Sequence, residues 1–98
     1  MEITHKNSAE TGFFLAEEDG KRMGYLSYEW ANPNKFAILH TVVEEAFQGR
    51  GVAKALVNAA VAFARENGNV IMPLCPYAEK VFMRDSAYDD VNADKPKK

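Results

Sequence analysis

Thr41-Val42-Val43-Glu44-Glu45-Ala46-Phe47-Gln48-Gly49-Arg50-Gly51-Val52-Ala53 carries the chain from a β-branched run, through a short loop with two glycines, into a helical pattern. The first turn of a helix leaves backbone N–H groups unpaired and carries a partial positive charge. Glycines let an anion approach that backbone closely. Together these features make a site for a phosphate or pyrophosphate, with Arg50 as a further charged donor.

Upstream of this stretch the sequence reads as strands. Ile3–Lys6 is a short edge candidate and Phe13–Glu17 a second strand. The turn sequence Glu18-Asp19-Gly20-Lys21 leads into a strand over Arg22–Trp30, and Asn32-Pro33-Asn34 turns the chain into Lys35–Val43. Downstream the period changes. From Gly51 to Asn67 the residues Val52, Leu56, Ala59 and Phe63 recur at helical spacing, with Lys54, Asn58 and Arg65 on the polar side. Asn67-Gly68 stops that helix, and Val70–Met72 is a short apolar strand. A β-α-β crossover makes it parallel to Lys35–Val43. After Pro73, the stretch Cys75-Pro76-Tyr77 opens a second helix that runs to about Arg84. The expected architecture is an α/β (α+β) domain. It has a mixed sheet, antiparallel in its N-terminal part, one β-α-β crossover helix and a short C-terminal helix.

The chain has 98 residues, 47% apolar and 27% charged, with net charge −2, which fits one folded domain over residues 1–91 and a flexible tail over residues 92–98. No basic run outside the last residues points to nucleic acid or an anionic membrane. One cysteine leaves no internal disulfide and no multi-cysteine metal site. The polar start Met1–Lys6 has no signal-peptide apolar region, so the expected setting is cytoplasmic, with no metal.

Three known motifs join a strand, a glycine loop and a helix. The P-loop requires Gly-Lys-Ser/Thr, and Gly51 is followed by Val52-Ala53. The dinucleotide fingerprint requires a third glycine where Lys54 stands and an acidic residue where Met72-Pro73 stands. The third pattern, Q/R-x-x-G-x-G/A, is met at all its fixed positions by Gln48–Ala53. The plainer reading is that two glycines merely turn the chain into a helix.

With His40-Thr41-x-Val43 before the loop and Cys75-Pro76-Tyr77-Ala78 before the last helix, the chain resembles the GNAT N-acetyltransferase superfamily from about Phe13 to Val91. Within it, the chain is similar to the minimal YjdJ-type predicted acetyltransferases. The resemblance implies acetyl-CoA as co-substrate, lying where two strands splay apart, Lys35–Val43 and Val70–Leu74. It implies that backbone groups of Thr41, Val42 and Val43 pair with the pantetheine arm. The N–H groups of Arg50, Gly51, Val52 and Ala53 would hold the pyrophosphate, and Gln48, Gly49 and Tyr77 would also bind the cofactor. The chain departs from larger relatives in three ways. Only Asn7–Thr11 separates the first two strands, where they carry two helices. Glu45 replaces a common proline, and Phe82 replaces a tyrosine that protonates the leaving thiolate.

Acetyl transfer to an amine needs a base for the amine, a polarised carbonyl and a proton for the thiolate. His40 is the candidate base, with a buried structural histidine as the plainer alternative. Cys75, at a helix N-cap before Pro76, is a candidate nucleophile or a small core residue. Tyr77 can donate a hydrogen bond to the departing sulfur or the carbonyl. His5 reads as solvated, and Met23, Met72 and Met83 as core filling. Tyr25, Tyr28 and Trp30 alternate along one strand, so an uncovered sheet face would offer aromatic surface for a weak dimer. The expected function is direct acetyl transfer from acetyl-CoA to an unidentified amine. The alternative is a CoA or acyl-CoA binding module without turnover.

Overall fold

The computed structural model describes residues 1–94. Among these, strands β1 (Glu2–Asn7), β2 (Thr11–Glu18), β3 (Lys21–Asn32), β4 (Lys35–Val43) and β5 (Val70–Pro73) form one sheet in that order. Helix α1 (Val52–Asn67) joins β4 to β5, and α2 (Pro76–Arg84) follows β5. Neighbours from β1 to β4 pair antiparallel, and β5 runs parallel to β4. This is the mixed sheet expected from the switch in period. The β2–β3 turn needs two residues with positive φ, and Asp19 and Gly20 supply them at 51° and 77°. At the β3–β4 turn the Asn32 side chain accepts the Asn34 N–H at 2.8 Å.

One face of the sheet holds the core. Phe14, Leu26, Tyr28, Phe36 and Ile38 project from it against Val52, Leu56, Val57, Ala60, Val61 and Ala64 of α1. The buried stripe of α1 is therefore one position wider than Val52-Leu56-Ala59-Phe63. Ala59 and Phe63 are only half-buried, at its margin. Helix α2 adds Ala78 and Phe82, and the Phe82 ring stacks on Tyr88 at 5.3 Å. Met23 is in the core, but Met83 is 78% exposed, because α2 buries only the Ala78–Phe82 side. Asn92 and Ala93, read from the sequence as part of a tail, pair with β5. Asn92 bridges Ile71 in parallel, and Ala93 N–H donates to the Ile71 carbonyl at 2.8 Å. Lys95–Lys98 lie outside the described residues.

The opposite sheet face has no helix over it among the described residues. Phe13 and Val42 are exposed there, beside half-buried Leu15 and Tyr25, which pair across the strands with each other and with Val42. Among the described residues no helix is long and apolar enough to cross a membrane.

His5 is not solvated. Its ring stacks on Phe14 at 4.0 Å and meets the edge of Phe63 at 4.4 Å. Its Nε2 lies 2.6 Å from the Tyr28 hydroxyl, which donates to the Asn7 side-chain oxygen at 2.8 Å. The ring therefore acts as donor to the phenol oxygen. The Trp30 indole N–H shares the Asn7 acceptor. β1 is thus held on the sheet by an aromatic box as well as by its ladder. Burial pushes the Tyr28 phenol up to about 12 and holds the His5 pKa below 6.5. The unfolded chain then binds more protons than the folded one as pH falls below 6.5, so stability is lost with acidification in that window and is unaffected above it. Urea unfolding between about pH 7.5 and 5.5 should show a decline that His5→Gln flattens. Parallel declines in the two proteins would mean that His5 does not couple to folding.

Candidate functional site

The sheet splits at its last pair. The β4–β5 ladder ends at Ile38–Pro73, and the Cys75 N–H closes it by donating to the Ile38 carbonyl at 2.9 Å. Beyond this point β4 continues for Leu39–Val43 along β3, while the other chain turns away into α2. Backbone direction alternates along a strand. The Val42 carbonyl packs against Gly24 of β3, and Glu44 N–H donates to Met23 of β3 at 2.8 Å. Thr41 and Val43 therefore turn their N–H and C=O groups to the open edge. A flexible chain with amide groups can pair there as an added strand would.

The strand leads through a single 3-10 turn, Glu45–Phe47, to the glycine loop. Gly49 and Gly51 have φ of 80° and 78°, a backbone conformation that other residues adopt only at a cost. Gly51 is the N-cap of α1, with no side-chain cap and no acidic residue in the first turn. The N–H groups of Gly51, Val52, Ala53 and Lys54 take no partner from the described residues. Free donors at a helix start, with nothing within 4 Å of a Cβ built on Gly51, give an open cradle for an anion.

The open edge and the cradle line one hollow of about 400 Å³. Its walls are Thr41, Val43, Phe47, Gln48, Gly49, Gly51, Val52, Ala53, Lys54 and Tyr77. Eight of the ten residues expected to bind a cofactor meet here. Val42 does not, because strand alternation turns it to the uncovered face, where it is 38% exposed. Arg50 does not, because its guanidinium binds both Glu18 carboxylate oxygens at 2.9 and 3.1 Å and lies 5.4 Å from the Phe47 ring centre. The Arg50 side chain thus ties the loop to β2 and does not line the hollow. Phe47 and Lys54 were not foreseen. Lys54 was legible as the third side chain of the first helical turn, three residues after Gly51. Hollows of similar volume lie elsewhere, but the one lined by Glu2, Glu17, Glu18 and Asp19 has the wrong charge for a phosphate.

The residues with titratable groups divide between the two faces. Cys75 is 5% exposed, and its Sγ lies 3.6 Å from the Thr41 hydroxyl. Burial pushes the thiol pKa up. Hydrogen bonds from the Ala78 backbone, the Thr41 hydroxyl and the Tyr77 backbone outweigh it, so the net direction is down. Tyr77 lines the hollow, and burial raises its pKa, so it stays protonated at neutral pH. Phe82 is in the core, stacked on Tyr88. His40 pairs with Ser27 and is exposed. The ladder slips by one residue at Leu39, so His40 shares the outer face with Ser27, while Thr41 pairs with buried Leu26 on the helix face. His40 and Cys75 therefore stand on opposite sides of the sheet at its split. Among the described residues no His, Cys, Asp and Glu side chains group as a metal site.

Comparison with known proteins agrees with this fold. The solution structure of a GCN5-like protein from Staphylococcus aureus, provisionally assigned as an N-acetyltransferase, superposes with a TM-score of 0.68 at 28% identity, covering 93% of this chain and 86% of that one. An aminoglycoside N-acetyltransferase solved with CoA shares the fold at 17% identity, with a TM-score of 0.64 over 85% of this chain and 88% of that one. An uncharacterized N-acetyltransferase of Methanocaldococcus jannaschii is 34% identical over 71 residues, which are 66% of this chain and 31% of that protein. The chain thus spans about a third of that curated relative's length. The family described as GCN5-related N-acetyl-transferase matches residues 12–91, and the chain belongs to that family.

Proposed function

We propose that the protein is an acetyl-CoA-dependent N-acetyltransferase that moves the acetyl group directly to an amine. The observation that carries this reading is the junction of the β4 open edge with the uncapped start of α1 in one hollow. The residues present fit the co-substrate: free N–H groups from Gly51 to Lys54 suit a pyrophosphate, and the backbone of Thr41 and Val43 suits the pantetheine amides. The aminoglycoside enzyme of the same fold was solved with CoA, which supports the assignment. When bound, acetyl-CoA supplies the activated acetyl group.

The chain's own residues divide the remaining work. Tyr77, protonated and lining the hollow, gives a proton to the sulfur as the C–S bond breaks. His40, exposed on the other face at the split, takes the proton that the amine loses as the N–C bond forms. The amine approaches over the open sheet face, where the helices of larger relatives are absent. Exposed Phe13 and Val42 on that face also support weak self-association, which would compete with the acceptor.

The test is thermal. At about 100 times its dissociation constant, acetyl-CoA should add ~2.7 kcal/mol of stability by linkage. For a domain of this size that raises the Tm by roughly 10 °C or more. NAD should give less. A Tm that does not move across millimolar acetyl-CoA would remove the basis of the assignment.

A further inference from the structure

β1 is the edge of the sheet, and among the described residues no strand pairs with its outer side. Native edges are commonly blunted by proline, by a bulge or by unmatched charge. β1, Glu2-Ile3-Thr4-His5-Lys6-Asn7, has no proline. Its register with β2 runs without a slip, unlike those of β2 with β3 and of β3 with β4. Ser8 N–H donates to the Thr11 carbonyl at 2.8 Å, and bonding alternates from there along the antiparallel pair. Glu2, Thr4 and Lys6 therefore turn their backbone groups to β2, while Ile3, His5 and Asn7 turn theirs to the open edge.

The side chains of β1 describe the partner that fits this edge. Glu2 and Lys6 share the outer face, with Thr4 midway between them, and all three are exposed. Neither charge makes an ion pair among the described residues, whereas Arg22, Arg50 and Arg65 each do. Glu2 lies directly across from Glu17 and lines one hollow with Glu17, Glu18 and Asp19, a crowding of like charge that an added cation would relieve. An antiparallel copy of β1 with a two-fold axis at Thr4 supplies that cation. It sets Glu2 against Lys6 of the second copy and Lys6 against Glu2 of the second copy. Ile3 of each copy then exchanges N–H···O bonds with His5 of the other. Ile3, 37% exposed on the helix face, also gains that His5 ring as a neighbour. Moving the axis to Ile3 or to His5 keeps the backbone bonding but sets one charge against Thr4 and leaves no opposite-charge pair.

We propose that β1 is a self-association edge. Two copies of the chain pair β1 with β1, antiparallel about Thr4, into one continuous sheet, and the Glu2–Lys6 pairs select that register. One strand pair buries less surface than a stable interface needs, so the dimer is weak and forms with rising concentration. The contact is the strand edge and not the open face of Phe13 and Val42.

Sedimentation of the whole protein from micromolar to millimolar concentration tests it. Wild type should pass from monomer toward dimer, less readily in high salt because the charge pairs are exposed. Glu2→Lys and Lys6→Glu each set like charges together at both ends of the symmetric pair, and each should raise the dimer Kd about tenfold or more. The double reversal Glu2→Lys/Lys6→Glu restores opposite charges and should return the Kd to that of wild type. Melting curves check that the single variants are folded. Independently, Thr4→Cys should give a disulfide-linked dimer on mild oxidation, because the two Thr4 side chains face each other at the axis. The natural Cys75 is buried and does not interfere. Wild type that stays monomeric throughout, with no cross-link through Thr4→Cys, overturns the proposal. Association that ignores the single reversals, or that the double reversal fails to restore, overturns it as well and moves the contact to the open sheet face.

Discussion

Gly51→Glu is expected to weaken CoA binding by more than a hundredfold while the domain remains folded. The two halves of this expectation have separate causes. Gly51 has φ of 78°, and a side chain there costs about 1–2 kcal/mol of backbone strain. A Cβ built at the position meets nothing within 4 Å, so no steric clash adds to the strain. Domains commonly have about 5–15 kcal/mol of stability, so the fold survives. The ligand fares worse. The open space around Gly51 is where a phosphate must come within hydrogen-bonding distance of the N–H groups of α1. A glutamate fills it and sets a negative charge against the partial positive charge of the helix start. Gly51→Ala carries the same strain without the charge, and its loss of affinity should be intermediate. Calorimetry with CoA, paired with thermal melts of the apo proteins, reads both halves. Gly51→Glu binding CoA as tightly as wild type would place the phosphate site elsewhere.

The cradle at Gly51 was legible in the sequence because it depends on local features. Two glycines, a strand before them and a helical period after them fix the backbone over a few residues, whatever the rest of the chain does. The order of strands and the single parallel crossover were legible for a similar reason, since the period changes from two to 3.6 at one place. What the sequence did not show depends on register. One extra residue at Leu39 moves His40 from the helix face, which it would share with Ile38, to the outer face with Ser27, and no pattern in Lys35–Val43 announces that slip. The same is true of Arg50. Its motif position placed it at the anion, but Glu18, 32 residues away in the chain, takes its guanidinium. His5 is the converse case. A polar residue near a terminus reads as solvated until β1 pairs with β2 and sets its ring between Phe14 and Phe63.

His40→Ala should lower kcat by about two to four orders of magnitude, the usual contribution of a positioned general base, with CoA affinity unchanged. Cys75→Ala should leave most of the activity. The placement of the two residues gives the reason. Cys75 is buried against Thr41 and the start of α2, and a thiol there has little room to carry an acetyl group. Its lowered pKa is nonetheless what a nucleophile needs, so the alternative has a physical basis and the two mechanisms must be separated. His40 cannot serve Cys75 as a base, because the sheet stands between them. A Cys75 route would also need an orienting partner, and among the described residues the only side chain hydrogen-bonded to its sulfur is Thr41. Intact mass after incubation with acetyl-CoA and no amine decides the matter. Direct transfer predicts no stoichiometric adduct in wild type. A single acetyl adduct that is absent in Cys75→Ala, and that passes to an added amine, would replace direct transfer by a two-step route through the thiol. An adduct that forms and is never passed on would identify Cys75 as a reactive thiol beside the cofactor, and the His40→Ala kinetics would then carry the assignment of the base alone.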